Sequence, residues 1–192
     1  MKNNNITKTF FHIFCIILGT VFLFSGFVKA VDPLGTVYKI QDYLDAMHLS
    51  ILSWSAEYAA FILIILEMSA GILLLLHISF KWGLLIVTAI MLFMTPLTLW
   101  IAIANPVSDC GCFGDAITLS NWNTFWKNIV LDAIIIYLWI FRKNFYPWLT
   151  ELPSQIITII ITLSILAFCL YNTTNLPVID FRPYHIGANI LE

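Results

Sequence analysis

WGLLIVTAIMLFMTPLTLWIAIA, from Trp82 to Ala104, is an unbroken apolar run without a charged residue. It matches the roughly 20 residues that an α-helix needs to cross a bilayer. In lipid, every backbone N–H and C=O must find its partner inside the structure, and a single segment achieves this only as an α-helix. Four further runs of the same kind flank it: Phe10 to Val31, Ile51 to Leu76, Thr124 to Phe141 and Ser154 to Tyr171. The run at 124–141 is the shortest. The expected fold is an all-α integral membrane bundle of four helices within residues 1–145, a fifth transmembrane helix within 146–173, and a tail over 174–192.

Composition agrees. Hydrophobic residues make up 60% of the 192-residue chain and charged residues 10%. Soluble domains carry about 25% charged residues, so a soluble fold is excluded. Net charge is −2 and there is no basic run, which argues against a nucleic-acid partner. The first run follows Lys2 and Lys8, and Val28-Lys29-Ala30 loosely resembles a signal-peptidase site. It is nevertheless longer than the 7–15 residues of a signal core and reads as a retained span.

Orientation follows from lysine and arginine in short loops. With the N-terminus inside, Lys2, Lys8, Lys81, Arg142 and Lys143 are cytoplasmic, against Lys29, Lys39, Lys127 and Arg182 on the other side. The stretch 105–125 has no positive residue, whereas Arg142-Lys143 directly follows the fourth run. The expectation is a bacterial inner-membrane protein with the 105–123 loop and the C-terminus outside. Trp54, Tyr58, Trp100, Trp122, Trp126, Trp139, Tyr146 and Trp148 fall near helix ends, where aromatic rings anchor at the interface.

That outer loop holds the most reactive element of the chain, Asp109-Cys110-Gly111-Cys112-Phe113-Gly114-Asp115. Two thiols one residue apart are always close, but a disulfide between them requires the chain to bend. Gly111 permits that bend. So tight a ring is strained, and strained, exposed disulfides are the more oxidising ones; the extracytoplasmic side is where disulfides persist. Asp109 and Asp115 oppose this, because reactive cysteines favour electropositive surroundings, and Lys127 is the nearest offsetting charge in sequence. A static loop-stiffening disulfide is the alternative. Zinc is a weaker one: it needs about four ligands, and Cys110, Cys112, His48, His185 and the nearby aspartates have no zinc-motif spacing, so no metal is expected. Cys15 and Cys169 lie in apolar runs and read as small core hydrophobes.

Lys29, Glu57, Glu67 and Asp132 fall inside apolar runs. Ionisable residues there usually face the bundle interior or a cavity. Glu67 lies near the midplane, about 1.5 Å per residue from the inner end at His77. Lys29 and Glu57, both in the outer half, are expected to pair. Three acids against one base implies that one acid is held neutral, because burial disfavours charge. The functional reading is a proton path or a quinone contact at Glu67 and Lys29, with Glu57 and Asp132 in support. Gly26, Ala30 and Gly71 read as sites of close helix approach, and His12 and His77 as interfacial residues.

The run Gly19 to Pro33 resembles the first helix of the DoxX superfamily, with its G-x-x-F-x-x-S-G-x-x-K-x-x-D pattern, and Glu67-Met68-Ser69-Ala70-Gly71 resembles that family's second-helix E-x-x-x-G. The Cys-Gly-Cys loop with Asn121-Trp122 resembles the MauE, or methylamine-utilisation, branch, and the resemblance covers roughly residues 10–145. It implies a four-helix membrane bundle that helps form disulfides in a client protein. By analogy with vitamin K epoxide reductase and DsbB, it implies electrons passing from thiols to quinone. Those proteins carry a C-x-x-C and a second cysteine pair; this chain has neither, which implies a thiol protein or thioredoxin-like partner supplying the second dithiol. Residues Asp180 to Gly187 resemble a linker to a further extracytoplasmic domain in longer relatives, and Leu191-Glu192 has the look of a cloning scar. The leading expectation is a thiol–disulfide oxidoreductase with Cys110 and Cys112 as reactive groups, supported by Gly111, Asp109 and Asp115. A membrane scaffold with a structural disulfide and a proton-coupled small-solute transporter are the alternatives.

Overall fold

The structure is a computed structural model that describes residues 3–107, 109–114, 116–144, 150–175 and 178–179. Among these residues six α-helices follow in order: α1 (Asn3–Val31), α2 (Pro33–Ala46), α3 (Ala56–Leu75), α4 (Phe80–Ala104), α5 (Asn121–Ile140) and α6 (Glu151–Thr174). The chain is an all-α membrane bundle. The stretches Ile6–Val31, Ser50–Leu75, Phe80–Ala104 and Leu152–Thr174 are each long and apolar enough to cross a bilayer.

The segment expected as the fourth span is α5, and it is not among those four. It has the length, but Asn121, Lys127, Asn128 and Asp132 lower its apolarity. The structure accounts for three of these. Asn121 Nδ2 donates to Asn105 Oδ1 at 2.8 Å, Asn128 Nδ2 to Thr98 Oγ1 at 3.1 Å, and Thr95 Oγ1 to Asp132 Oδ2 at 2.8 Å. Trp139 Nε1 reaches Thr88 Oγ1 at 2.9 Å. α5 therefore lies antiparallel along most of α4, with these three polar side chains bonded along that neighbour. Trp139, expected at the interface, belongs to this seam. Tyr146 and Trp148 lie outside the described residues.

Helix α2 was not expected. Its signals are local: Asp32 caps it by accepting from Gly35 N at 3.1 Å, and Pro33 occupies the first turn, the favoured place for proline. Val37, Ile40 and Leu44 repeat at helical spacing and pack on Ala56 and Ala60 of α3.

Helices α1 and α3 cross backbone to backbone. A Cβ on Gly26 would lie 2.7 Å from Met68 N, and one on Gly71 would collide with the Leu23 backbone. Ala30 instead packs in a cluster with Ile64, Ile165 and Cys169, beneath α6. The main core gathers Phe11, Cys15, Leu18, Leu74, Leu84 and Leu138, so both isolated cysteines are packing residues. Because the clash at Gly71 is with backbone, Gly71→Ala should separate α1 from α3. It should cost about 1–3 kcal/mol, as overpacking does, and appear as a clear loss of thermal stability in detergent. A melting temperature equal to that of the parent would show that the contact tolerates a methyl group.

Candidate functional site

The close approach at Gly26 and Met68 sets the register of α1 against α3, and that register decides what Lys29 meets. Its ammonium lies 2.7 Å from Glu67 Oε2 and 2.8 Å from Oε1, and both side chains are only 6% exposed. Ser25 Oγ, one turn earlier on α1, donates to Glu67 Oε2 at 3.0 Å and accepts from Lys29 at the same distance. The expected Lys29–Glu57 pair is thus corrected: Glu57 is exposed at the start of α3. Ten residues of helix, about 15 Å, separate it from Glu67. The count of three buried acids against one base falls with it, since Glu67 has its base and Asp132 is half-buried beside Thr95.

Ser25 also lies 2.7 Å from the Cys112 carbonyl, the second acceptor within reach of its hydroxyl. This joins the buried ion pair to the Cys-Gly-Cys loop. On the other side Tyr43, from α2, donates its hydroxyl to the Cys110 carbonyl. Asp109 binds Lys39 of α2 at 2.6 Å and accepts from Gly111 N at 2.9 Å. Gly111 has φ +62°, and a Cβ there would lie 3.0 Å from the Lys39 side chain. Glycine is therefore required both for the left-handed backbone and for the space beneath α2. A second left-handed glycine, Gly114, closes the turn by donating to Gly111 O at 3.0 Å. Asp115 lies outside the described residues.

The sulfurs of Cys110 and Cys112 face each other at 2.7 Å. Both belong to free cysteines, Cys110 buried and Cys112 partly exposed. The two thiols are coupled: their mutual hydrogen bond, in which either can be the donor, favours the charged form of whichever sulfur accepts, burial disfavours charge at both, and Lys127 favours it at both. Asp109, which seemed from sequence to oppose a thiolate, is neutralised by Lys39.

Both cysteines open onto a cavity of about 700 Å³. Lys29, Glu67, Ser25 and Lys127 share its polar end, while Leu63 and Leu66 of α3 and Ile86 and Met94 of α4 are among its apolar walls. Helices α3 and α4 touch at Gly83, where a Cβ would lie 3.2 Å from Leu73, and the cavity occupies the space between them farther out. Sequence reasoning missed Tyr43, Lys39 and Ser25 as parts of this site. The first two were hidden with α2. Ser25 stands one helical turn before Lys29, a spacing that could have disclosed it.

At the other end of the bundle His12 Nδ1 and His77 Nε2 are 2.9 Å apart, so these residues bond each other. Among the described residues no three His, Cys, Asp or Glu side chains gather as a metal site.

Fold and site define a polytopic helical membrane protein that presents a vicinal cysteine pair at the polar mouth of an intramembrane cavity. No curated protein and no solved structure matches the chain. The family described as methylamine utilisation protein MauE matches over residues 7–141, and the chain belongs to that family.

Proposed function

We propose that the protein is a membrane thiol–disulfide oxidoreductase acting on extracytoplasmic protein dithiols through Cys110 and Cys112. One observation carries this reading: the two sulfurs meet at 2.7 Å at the mouth of a cavity that also holds a buried ion pair. A client dithiol gives two electrons and two protons to the Cys110–Cys112 disulfide, leaving a client disulfide and an enzyme dithiol. A quinone bound beside the pair would supply the acceptor for the two electrons and two protons of the enzyme dithiol.

The fit for a quinone rests on the cavity. Its volume lies in the usual ligand range of about 300–1,000 Å³, its walls are apolar, and its polar residues gather near the sulfurs. Lys29 and Glu67 would hold the polar ring there. Cys112, the more exposed sulfur, takes the client's first thiolate in a mixed disulfide as Cys110 leaves; the client's second thiol then attacks that bond and releases Cys112 as the thiolate. The scaffold reading is weaker, because Tyr43, Ser25 and Lys39 already hold the loop, so a static disulfide would add little stiffness. The transporter reading is weaker because Glu67 is locked by Lys29 and Ser25.

The positive-residue pattern supports five spans in the bacterial inner membrane, with the N-terminus inside and the cysteine loop and C-terminus outside. The first-helix pattern supports a place for the family within the DoxX superfamily. Thiol trapping in cells tests the redox reading: the pair should appear as a mixture of dithiol and disulfide, shifting toward dithiol when quinone is depleted. A pair that stays fully oxidised under both conditions would be a structural clasp.

A further inference from the structure

Resting on the thiol–disulfide reading, we propose that Lys127 is the positioning residue that favours the thiolate at the Cys112 sulfur and so eases its departure when a client's second thiol resolves the mixed disulfide. Lys127 lies in the second turn of α5, and its ammonium sits 4.4 Å from the centroid of Phe113, the residue after Cys112. A cation over an aromatic face is held there by the ring quadrupole. Lys127 lines the same cavity as Cys112.

The charges facing Cys112 come from three helices. Lys29 of α1 and Glu67 of α3 act on the sulfur in opposite directions and are paired with each other. On the Cys110 side, Asp109 is paired with Lys39. Lys127 belongs to neither of these two ion pairs. Among the described residues it is therefore the positive charge beside the sulfur that is not paired with a carboxylate, Asp115 lying outside them. A cation in this place favours the charged form of a thiol. Lys127 acts in this sense on both sulfurs, and Tyr43 of α2 faces both as well; the seat of Lys127 over Phe113 places it beside Cys112, the sulfur that leaves the mixed disulfide.

The test uses the full chain in detergent with Cys110→Ser, which leaves one reactive thiol in the loop; Cys15 and Cys169 are fully buried. The rate of iodoacetamide alkylation at Cys112 is followed against pH, alone and with Lys127→Met or Lys127→Arg. A lowered thiol pKa keeps the thiolate present above its midpoint, so removing the cation must move that midpoint upward. Lys127→Met should move it to higher pH by about one pH unit and slow alkylation at neutral pH by about tenfold. Lys127→Arg, which keeps the charge and the ring contact, should stay near the parent. If Lys127→Met leaves the midpoint unmoved, or slows alkylation equally at every pH, the proposal is overturned and Lys127 only anchors Phe113. A shifted midpoint in a protein that traps no client would sustain the role of Lys127 and refute the oxidoreductase reading.

Discussion

Cys110→Ser should accumulate a covalent complex with the client, joined through Cys112, whereas Cys112→Ser should lose exchange to background and trap far less. The asymmetry follows from the two sulfurs' surroundings. Cys112 is partly exposed, whereas Cys110 is buried. The attacking species in exchange is a thiolate, and access decides which sulfur is met. Without Cys110 the Cys112 thiolate can still attack an oxidised client, and the mixed disulfide then cannot return to the loop disulfide; the client's second thiol is its one remaining exit, so the complex accumulates. Non-reducing electrophoresis of membranes from cells carrying each variant reads the complex, and mass spectrometry of the linked peptide names the cysteine. Equal trapping by the two variants would contradict the assigned roles, and none by either would remove the oxidoreductase reading.

The second large effect is expected at the buried ion pair. Lys29→Met leaves the Glu67 carboxylate inside the bundle with only Ser25 as a partner. Removing one member of a buried pair costs about 3–5 kcal/mol, because the remaining charge stays desolvated. The double variant Lys29→Met with Glu67→Leu should recover most of that loss, since apolar replacement of a whole pair is often neutral. Thermal unfolding in detergent measures both. Activity should part company with stability: the double variant should fold yet lose most quinone-linked oxidation of the loop thiols. A stable double variant with parental turnover would make the pair interhelical glue and nothing more.

The two effects differ in how far they could be foreseen. The closeness of Cys110 and Cys112 was legible because one-residue spacing brings sulfurs together whatever the rest of the chain does, and because Gly111 explains how the backbone can turn there. Glu67 and Lys29 were legible as costly residues in apolar runs, but their pairing was not. Sequence depth along each helix put Lys29 level with Glu57. The register that overrules this comes from Gly26 and Gly71, where missing side chains let two backbones touch. α5 shows the same limit: its polar residues look like a defect in a span until α4 is seen to bond with Asn121, Asn128 and Asp132.

By itself, then, the sequence determined the solvent and the class of fold, because apolar length is a local property that a bilayer reads directly. It also determined the cysteine turn, because neighbours along the chain are neighbours in space. Only the tertiary structure decided that α2 covers the loop, that Tyr43 and Ser25 hold the two cysteine carbonyls, and that Glu67 is the partner of Lys29. Those contacts join residues 38–87 positions apart. They depend on how helices rotate and slide against one another, which packing at a few small residues settles and no local pattern encodes.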